Sequence, residues 1–198
     1  MDREEIFRSN YVKAAQAFSI NDLEASLDFL NRAEAAKPSQ ASIANLRGAI
    51  YTRKREWASA QASFKEALRL QPDLDMAEFN LGETYFLNRE YQEARQRFRA
   101  FLKSQPNNDL AQYKVFLCDL FGGNPSSANT FLETLQPNSN SPIYFFCKAA
   151  QAFAAGNNHE GMEFVNSAYR IYPVEANATF ADSLVEKGYL QGQSPKKD

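Results

Sequence analysis

The residues that could do chemistry are few and scattered. One histidine, His159, is the whole supply of imidazole, which removes most metal sites and most histidine-based acid–base catalysis. It lies in Gly156-Asn157-Asn158-His159-Glu160, a polar stretch that reads as a solvated turn. Cys118 and Cys147 sit in apolar surroundings and read as small buried hydrophobes, not as nucleophiles or metal ligands. Two cysteines are also too few for a disulfide framework. There is no His-Glu-x-x-His helix and no Gly-x-Ser-x-Gly elbow, and Gly122-Gly123 lacks the following Lys-Ser or Lys-Thr of a phosphate loop. Glu4, Glu5, Glu24, Asp28, Glu90 and Glu93 read as solvated helix charges. The chain is therefore expected to be no enzyme, with no catalytic, metal or cofactor-binding residue. Binding is the chemistry that remains.

Composition narrows what could be bound. Hydrophobic residues make up 44% of the 198 and charged residues 23%, which is globular and not disordered. Lys+Arg 22 against Asp+Glu 24 leaves a net charge of −2, so no basic field invites nucleic acid or an acidic membrane. No stretch approaches the roughly 18 consecutive apolar residues of a membrane span. The opening Met1-Asp2-Arg3-Glu4-Glu5 is charged, and no apolar run follows. Taken as a complete gene product, without a removed leader, the chain is expected to be cytoplasmic with reduced thiols. The sequon Asn177-Ala178-Thr179 reads as a chance occurrence.

The elements that must position a binding surface announce themselves by period. Prolines fall at Pro38, Pro72 and Pro106, 34 residues apart, and Pro173 lies 67 further on, with Pro137 between. Before each runs one pattern: Leu23, Ser26, Leu30 and Ala33; Trp57, Ala60, Phe64 and Ala67; Tyr91, Ala94, Phe98 and Phe101. Spacings of three, four and three put these on one helix face, and the proline then stops the helix. A second helix precedes each, carrying Gly48 and Tyr51 in one copy and Leu81, Gly82 and Tyr85 in the next.

Here the sequence resembles the tetratricopeptide repeat (TPR), a 34-residue helix–turn–helix whose pattern includes Leu-Gly, a later Tyr, then Ala, Phe and Pro. Leu81-Gly82, Tyr85, Tyr91, Ala94, Phe98 and Pro106 are all in register. The resemblance implies an all-α, right-handed solenoid of about eleven helices. Residues 1–175 hold five repeats at approximately 7–40, 41–74, 75–108, 109–141 and 142–175. Small Gly82 and Ala94 are expected where helices cross closely. The fourth repeat departs most: Phe116 stands where Gly or Ala belongs, and Leu135 replaces the late alanine. A local change in superhelix pitch is expected near it. The amphipathic run 176–190, with Phe180, Leu184, Tyr189 and Leu190, is expected as a helix capping the last repeat, and 191–198 as a disordered polar tail.

In this architecture the first helix of each repeat lines a groove. The family's groove positions fall on Arg8, Tyr11, Val12 and Ala15, then on Asn45, Leu46, Ala49 and Arg53. The peptide-binding residues they imply are Phe79, Asn80, Glu83 and Phe86, with Met76, in the third repeat. Tyr113, Lys114 and Leu117, with Leu110 and Phe121, follow in the fourth; Phe146 and Phe153, with Ile143 and Ala150, in the fifth. Residues 1–106 hold 31 charged side chains and residues 107–198 only 15, so the groove turns apolar along the chain. Two readings of that trend compete: an exposed channel for a partner, or apolar residues that merely pack, with the capping helix folded back into the groove. The resemblance to TPR domains that clamp acidic chaperone tails is incomplete. Asn80 and Lys114 match, while Asn45, Ala49 and Leu110 do not. The resemblance thus implies a scaffold or adaptor binding an extended or helical segment of another protein. The alternative is a TPR chaperone or assembly factor for a secretion or envelope system, and third an RNA-binding helical repeat. A homodimer is compatible with either protein-binding reading; nucleic acid and membrane are not expected partners.

Overall fold

Asp2 and Glu5 open the first helix reciprocally: the Glu5 amide donates to Asp2 Oδ1 at 2.8 Å and the Asp2 amide to Glu5 Oε2 at 3.0 Å. Such a box satisfies two of the four amides that a helix N-terminus leaves bare. The computed structural model describes residues 2–137 and 140–191, and among them the chain is helical with no strand. Helices α1 (Arg3–Ser19), α2 (Leu23–Ala36), α3 (Ala41–Arg53), α4 (Trp57–Leu70) and α5 (Asp75–Leu87) form a first unit, Met1–Arg89. A second unit, Glu90–Asp198, holds α6 (Tyr91–Ser104), α7 (Asp109–Phe121), α8 (Pro125–Thr134), α9 (Ile143–Ala154), α10 (Asn158–Ile171) and α11 (Val174–Glu186). The division falls inside the third of the repeats drawn from the sequence.

Helix lengths and stops follow from local chemistry. Asp22 caps α2 through the Ala25 amide at 3.1 Å, and Asn108 caps α7 through the Ala111 amide at 2.9 Å. Between the helices of successive pairs the backbone turns through a left-handed residue: Asn21, Arg55, Arg89, Gly123 and Gly156. These fall 34, 34, 34 and 33 residues apart, so the period of the sequence reappears as a period of backbone dihedrals. Gly188, φ 78°, continues the series after α11. The C-terminal helix is thus built like the first helix of a further pair whose second helix does not follow among the described residues.

Within each unit most helices pack on their near neighbours along the chain, and α11 is the exception, reaching back to α7 as well as to α9 and α10. α1 packs on α2, α3 on α4, and α3 in turn on α1 and α5; in the second unit α6 packs on α7, α7 on α8 and α9, and α9 on α10. Glycine at the crossings is obligatory. A Cβ at Gly48 would lie 2.7 Å from Phe64 Cε1, and one at Gly161 would lie 2.6 Å from Phe153 Cε1. Gly82 and Ala94 are buried, as are Phe64 and Phe98. The first core gathers Ala14, Leu30, Ala33, Ile43, Leu46 and Ile50, with Phe7, Tyr11, Phe18 and Phe29 packed on its rim.

Three details differ from the regular pattern or from the sequence expectations. The capping segment, expected at 176–190, is helical over Val174–Glu186: Pro173 occupies the N-cap, and the chain turns at Gly188. α8 is ten residues where other second helices have fourteen; it starts on Pro125 directly after Gly122-Gly123-Asn124, and its C-cap Leu135 is extended. His159 sits in the first turn of α10, one residue inside the helix and not in the loop before it. The expected disordered tail falls, from residue 192 onward, outside the described residues.

Candidate functional site

In the first unit, one face is built by α1, α3 and α5, and its polar residues meet in rungs. Asn80 Nδ2 donates to Asn45 Oδ1 at 3.3 Å, joining α5 to α3. Further along both helices the hydroxyls of Thr52 and Thr84 lie 2.9 Å apart; with one proton each, one donates to the other, which donates to its own helix carbonyl, Gly48 or Asn80. Between α1 and α3, burial pushes the Tyr11 phenol pKa upward, partly opposed by a hydrogen bond with Ser42. The Asn45–Asn80 bond uses one edge of each amide, which leaves a donor edge on Asn45 and an acceptor edge on Asn80 for a backbone. Phe79 and Glu83 are half-buried beside them, and Phe86 is buried. Met76 and Val12, also groove positions, stand 63% and 52% exposed. Arg53 stacks its guanidinium 3.6 Å above the Phe18 ring and donates to the Phe18 carbonyl. On this face Asn45, Thr52, Phe79, Asn80 and Glu83 are half-buried, Thr84 and Phe86 are buried, and Val12 and Met76 are exposed.

The second unit differs. Tyr113, Leu117 and Phe146 have 0% exposure and Phe153 4%, and Lys114 is buried with them. What covers the aromatic face is α11 together with Tyr189 just after it. Phe180 of α11 lies with its ring centroid 5.3 Å from Tyr113 and 5.7 Å from Phe146. Leu184, one turn further, is fully buried. Tyr189, just beyond the helix, stacks on Phe153 at 5.1 Å and 7° and on Phe121 at 6.2 Å. Of the two readings the sequence left open, the open channel does not hold for Tyr113, Leu117, Phe146 and Phe153; the capping segment occupies their face. The physical reason is the one that makes a cap necessary: α9 would otherwise leave an apolar stripe in water.

The segment is fixed at both ends. Asn177 Nδ2 reaches the carbonyls of Tyr172 and Pro173, both at 3.0 Å, and of Ala168 at 3.4 Å, anchoring α11 to the end of α10. Asn177 is fully buried, so its sequon offers no acceptor in the folded chain. At the other end Lys187 Nζ donates to Tyr91 Oη at 2.9 Å and lies 4.1 Å from the Phe121 ring centroid. The sequence picked out Phe180, Leu184 and Tyr189 as an apolar face; nothing in spacing alone marked Lys187 as their fastening. Between the anchors the fit is imperfect. Tyr113 Oη, Asn177 Oδ1 and Ser183 Oγ are buried without a hydrogen-bond partner.

Among the described residues no three His, Cys, Asp or Glu side chains come together as a metal site. His159 is exposed, its imidazole 3.4 Å from the Glu163 carboxylate. Both thiols are buried, and burial pushes the Cys147 pKa well above its ordinary value, so it stays protonated. A largely buried ion pair, Arg95 Nε to Asp119 Oδ1 at 2.6 Å, lines a cavity of about 260 Å³ between α6 and α7. Asn124 Nδ2 donates to the same carboxylate at 3.3 Å, and the group ties two helices together. Among the described residues no helix is long and apolar enough to cross a membrane.

No family model and no curated protein matches the sequence. Solved structures do. PilF of Pseudomonas aeruginosa is similar at 17% identity over 97% of this chain and 95% of its own, with a TM-score of 0.68. PilW, a type IV pilus biogenesis factor, is similar at 19% over 88% and 82%, TM-score 0.66. YrrB, a TPR protein with an unusual peptide-binding site, is similar at 21% over 88% and 91%, TM-score 0.61. The chain spans only 27% of an O-GlcNAc transferase from Thermobaculum terrenum, to which it is similar at 13% identity with a TM-score of 0.58. At such identities the likeness is one of fold: this chain has the all-α TPR solenoid fold.

Proposed function

We propose that the chain is a non-catalytic interaction module that holds an extended segment of another protein along α1, α3 and α5 of its first unit. The observation that carries this is the amide pair of Asn45 and Asn80, half-buried between α3 and α5 with Phe79 and Glu83 and with the exposed Met76 one turn away. A segment in extended conformation presents one donor and one acceptor per residue, which such amides can match, while Phe79 and Met76 give apolar contact and Glu83 sets polarity. A preformed groove of this kind fits affinities in the micromolar range, about −8 kcal/mol. The groove role of the residues in the second unit is not part of this proposal, since α11 covers them.

The runner-up is an assembly factor for an envelope system. It is supported by the likeness, over nearly the whole of both chains, to PilF and by the likeness to the pilus biogenesis factor PilW. Affinity capture from the native lysate tests both. The full chain and an Asn80→Asp, Phe79→Ala variant of unchanged melting temperature are used side by side. A protein retained by the parent and lost by the variant supports the groove; equal retention removes it. If the captured protein aggregates in cells that lack this chain, the assembly reading takes precedence over the adaptor.

A further inference from the structure

The C-terminal segment is joined to the second unit as a strap is, hinged at one end and fastened at the other. The hinge is Pro173 with Asn177 on the carbonyls that end α10. The fastening is Lys187 on Tyr91 and Phe121, and Tyr189 on Phe153. Between them α11 lies against both α9 and α7 and puts Phe180 and Leu184, four residues apart, onto the aromatic face. Its outer side, with Asp182 and Glu186, is exposed. The seat leaves Tyr113 Oη and Ser183 Oγ buried without partners, a desolvation penalty that a helix with a wholly apolar inner face avoids at Ser183.

We propose that the face of α7 and α9 is a second binding site, kept shut by this strap, and that its ligand is an amphipathic helix of another protein. That helix would present an aromatic residue, a leucine four positions later and a further aromatic beyond its end. The chemistry of the ligand is read from the occupant: a surface of Tyr113, Leu117, Phe146 and Phe153 accepts what α11 offers. Release begins at Lys187, whose ammonium is bound through one hydroxyl and two rings, those of Tyr91 and Phe121, and not through a carboxylate. The site is independent of the groove on the first unit, so either can fail without the other.

The test uses the full chain, a Lys187→Ala, Tyr189→Ala variant, and a fluorescein-labelled peptide of residues 174–190 as the probe. The variant is expected to bind the peptide at least tenfold more tightly than the parent. Hydrogen exchange in α11 of the parent is expected to be faster than in α9 and α10, because the strap opens without unfolding the unit. Exchange of α11 only together with α9 and α10 would overturn the proposal, and this measurement stands even if the variant does not fold. A variant that folds and leaves the peptide unbound also overturns it. A dimer with α11 exchanged between copies assigns the face to a second copy of this chain instead and likewise removes the proposed ligand.

Discussion

Tyr113 is the residue whose environment is least comfortable. It is fully enclosed by Phe116, Phe146 and Phe180, and its hydroxyl has no hydrogen-bond partner. Removing an unsatisfied buried hydroxyl while keeping the ring relieves a penalty of about 1–3 kcal/mol. Tyr113→Phe is therefore expected to raise the melting temperature. The same enclosure pushes the phenol pKa well above its ordinary value by desolvation, with the nearby Cys147 acting in the same sense. A raised folded pKa means stability that is complete below the unfolded value near 10 and lost as pH climbs beyond it. Parent and Tyr113→Phe should consequently diverge in alkaline melts, with the variant losing less above pH 10. The thiols give a second residue-scale outcome. With Cys147 held protonated and both sulfurs buried, a thiol reagent should label neither in the native chain and both after denaturation; rapid native labelling would mean the second unit opens far more readily than its packing implies.

Crossings and covers decide the energetics of single helices. Phe64 and Phe153 fill the space in front of Gly48 and Gly161, and a methyl group at either glycine would sit far inside contact distance of the ring. Gly48→Ala and Gly161→Ala should each overpack their pair by roughly 1–3 kcal/mol, read as a lower denaturant midpoint. Cover separates the aromatics of the two faces. Phe146→Ala, beneath α11, should cost about 3–5 kcal/mol of stability like any core truncation. Phe79→Ala, at a half-buried position, should cost markedly less stability and weaken binding instead. Sequence carried the elements well, because helix period and proline stops are local properties that recur about every 34 residues; the left-handed turns at Asn21, Arg55 and Arg89 it did not mark. It carried the site less far. Tyr113, Leu117, Phe146 and Phe153 show the same spacing whether an apolar stripe awaits a partner or is already covered, and only the placement of Phe180 and Tyr189 decides. The rungs of Thr52 and Thr84 were invisible for a related reason: hydroxyls 32 residues apart become neighbours only when α3 and α5 lie side by side.

At the scale of the molecule, packing between neighbouring helices makes the stability of the first unit close to a sum of local terms, whereas in the second unit α11 couples α7, α9 and α10. The chain divides at Arg89–Glu90 into two units, each with its own set of packed helices. Leu30→Ala, in the first core, should lower amide protection in α1 to α4 more than in α9 and α10, and Phe146→Ala should do the opposite. Equal loss throughout would mean that the units unfold as one. The placement of Trp57 turns this into an optical asymmetry. It is the single tryptophan of the chain, at the start of α4, with the Arg55 guanidinium 6.0 Å from its ring. Indole emission therefore reports on the first unit alone, whereas circular dichroism sums helices from both. Two-state unfolding requires the two signals to coincide. Destabilising the second unit should pull the dichroism curve ahead of the emission curve, so this protein carries its own internal reference channel for the half that holds Asn45 and Asn80.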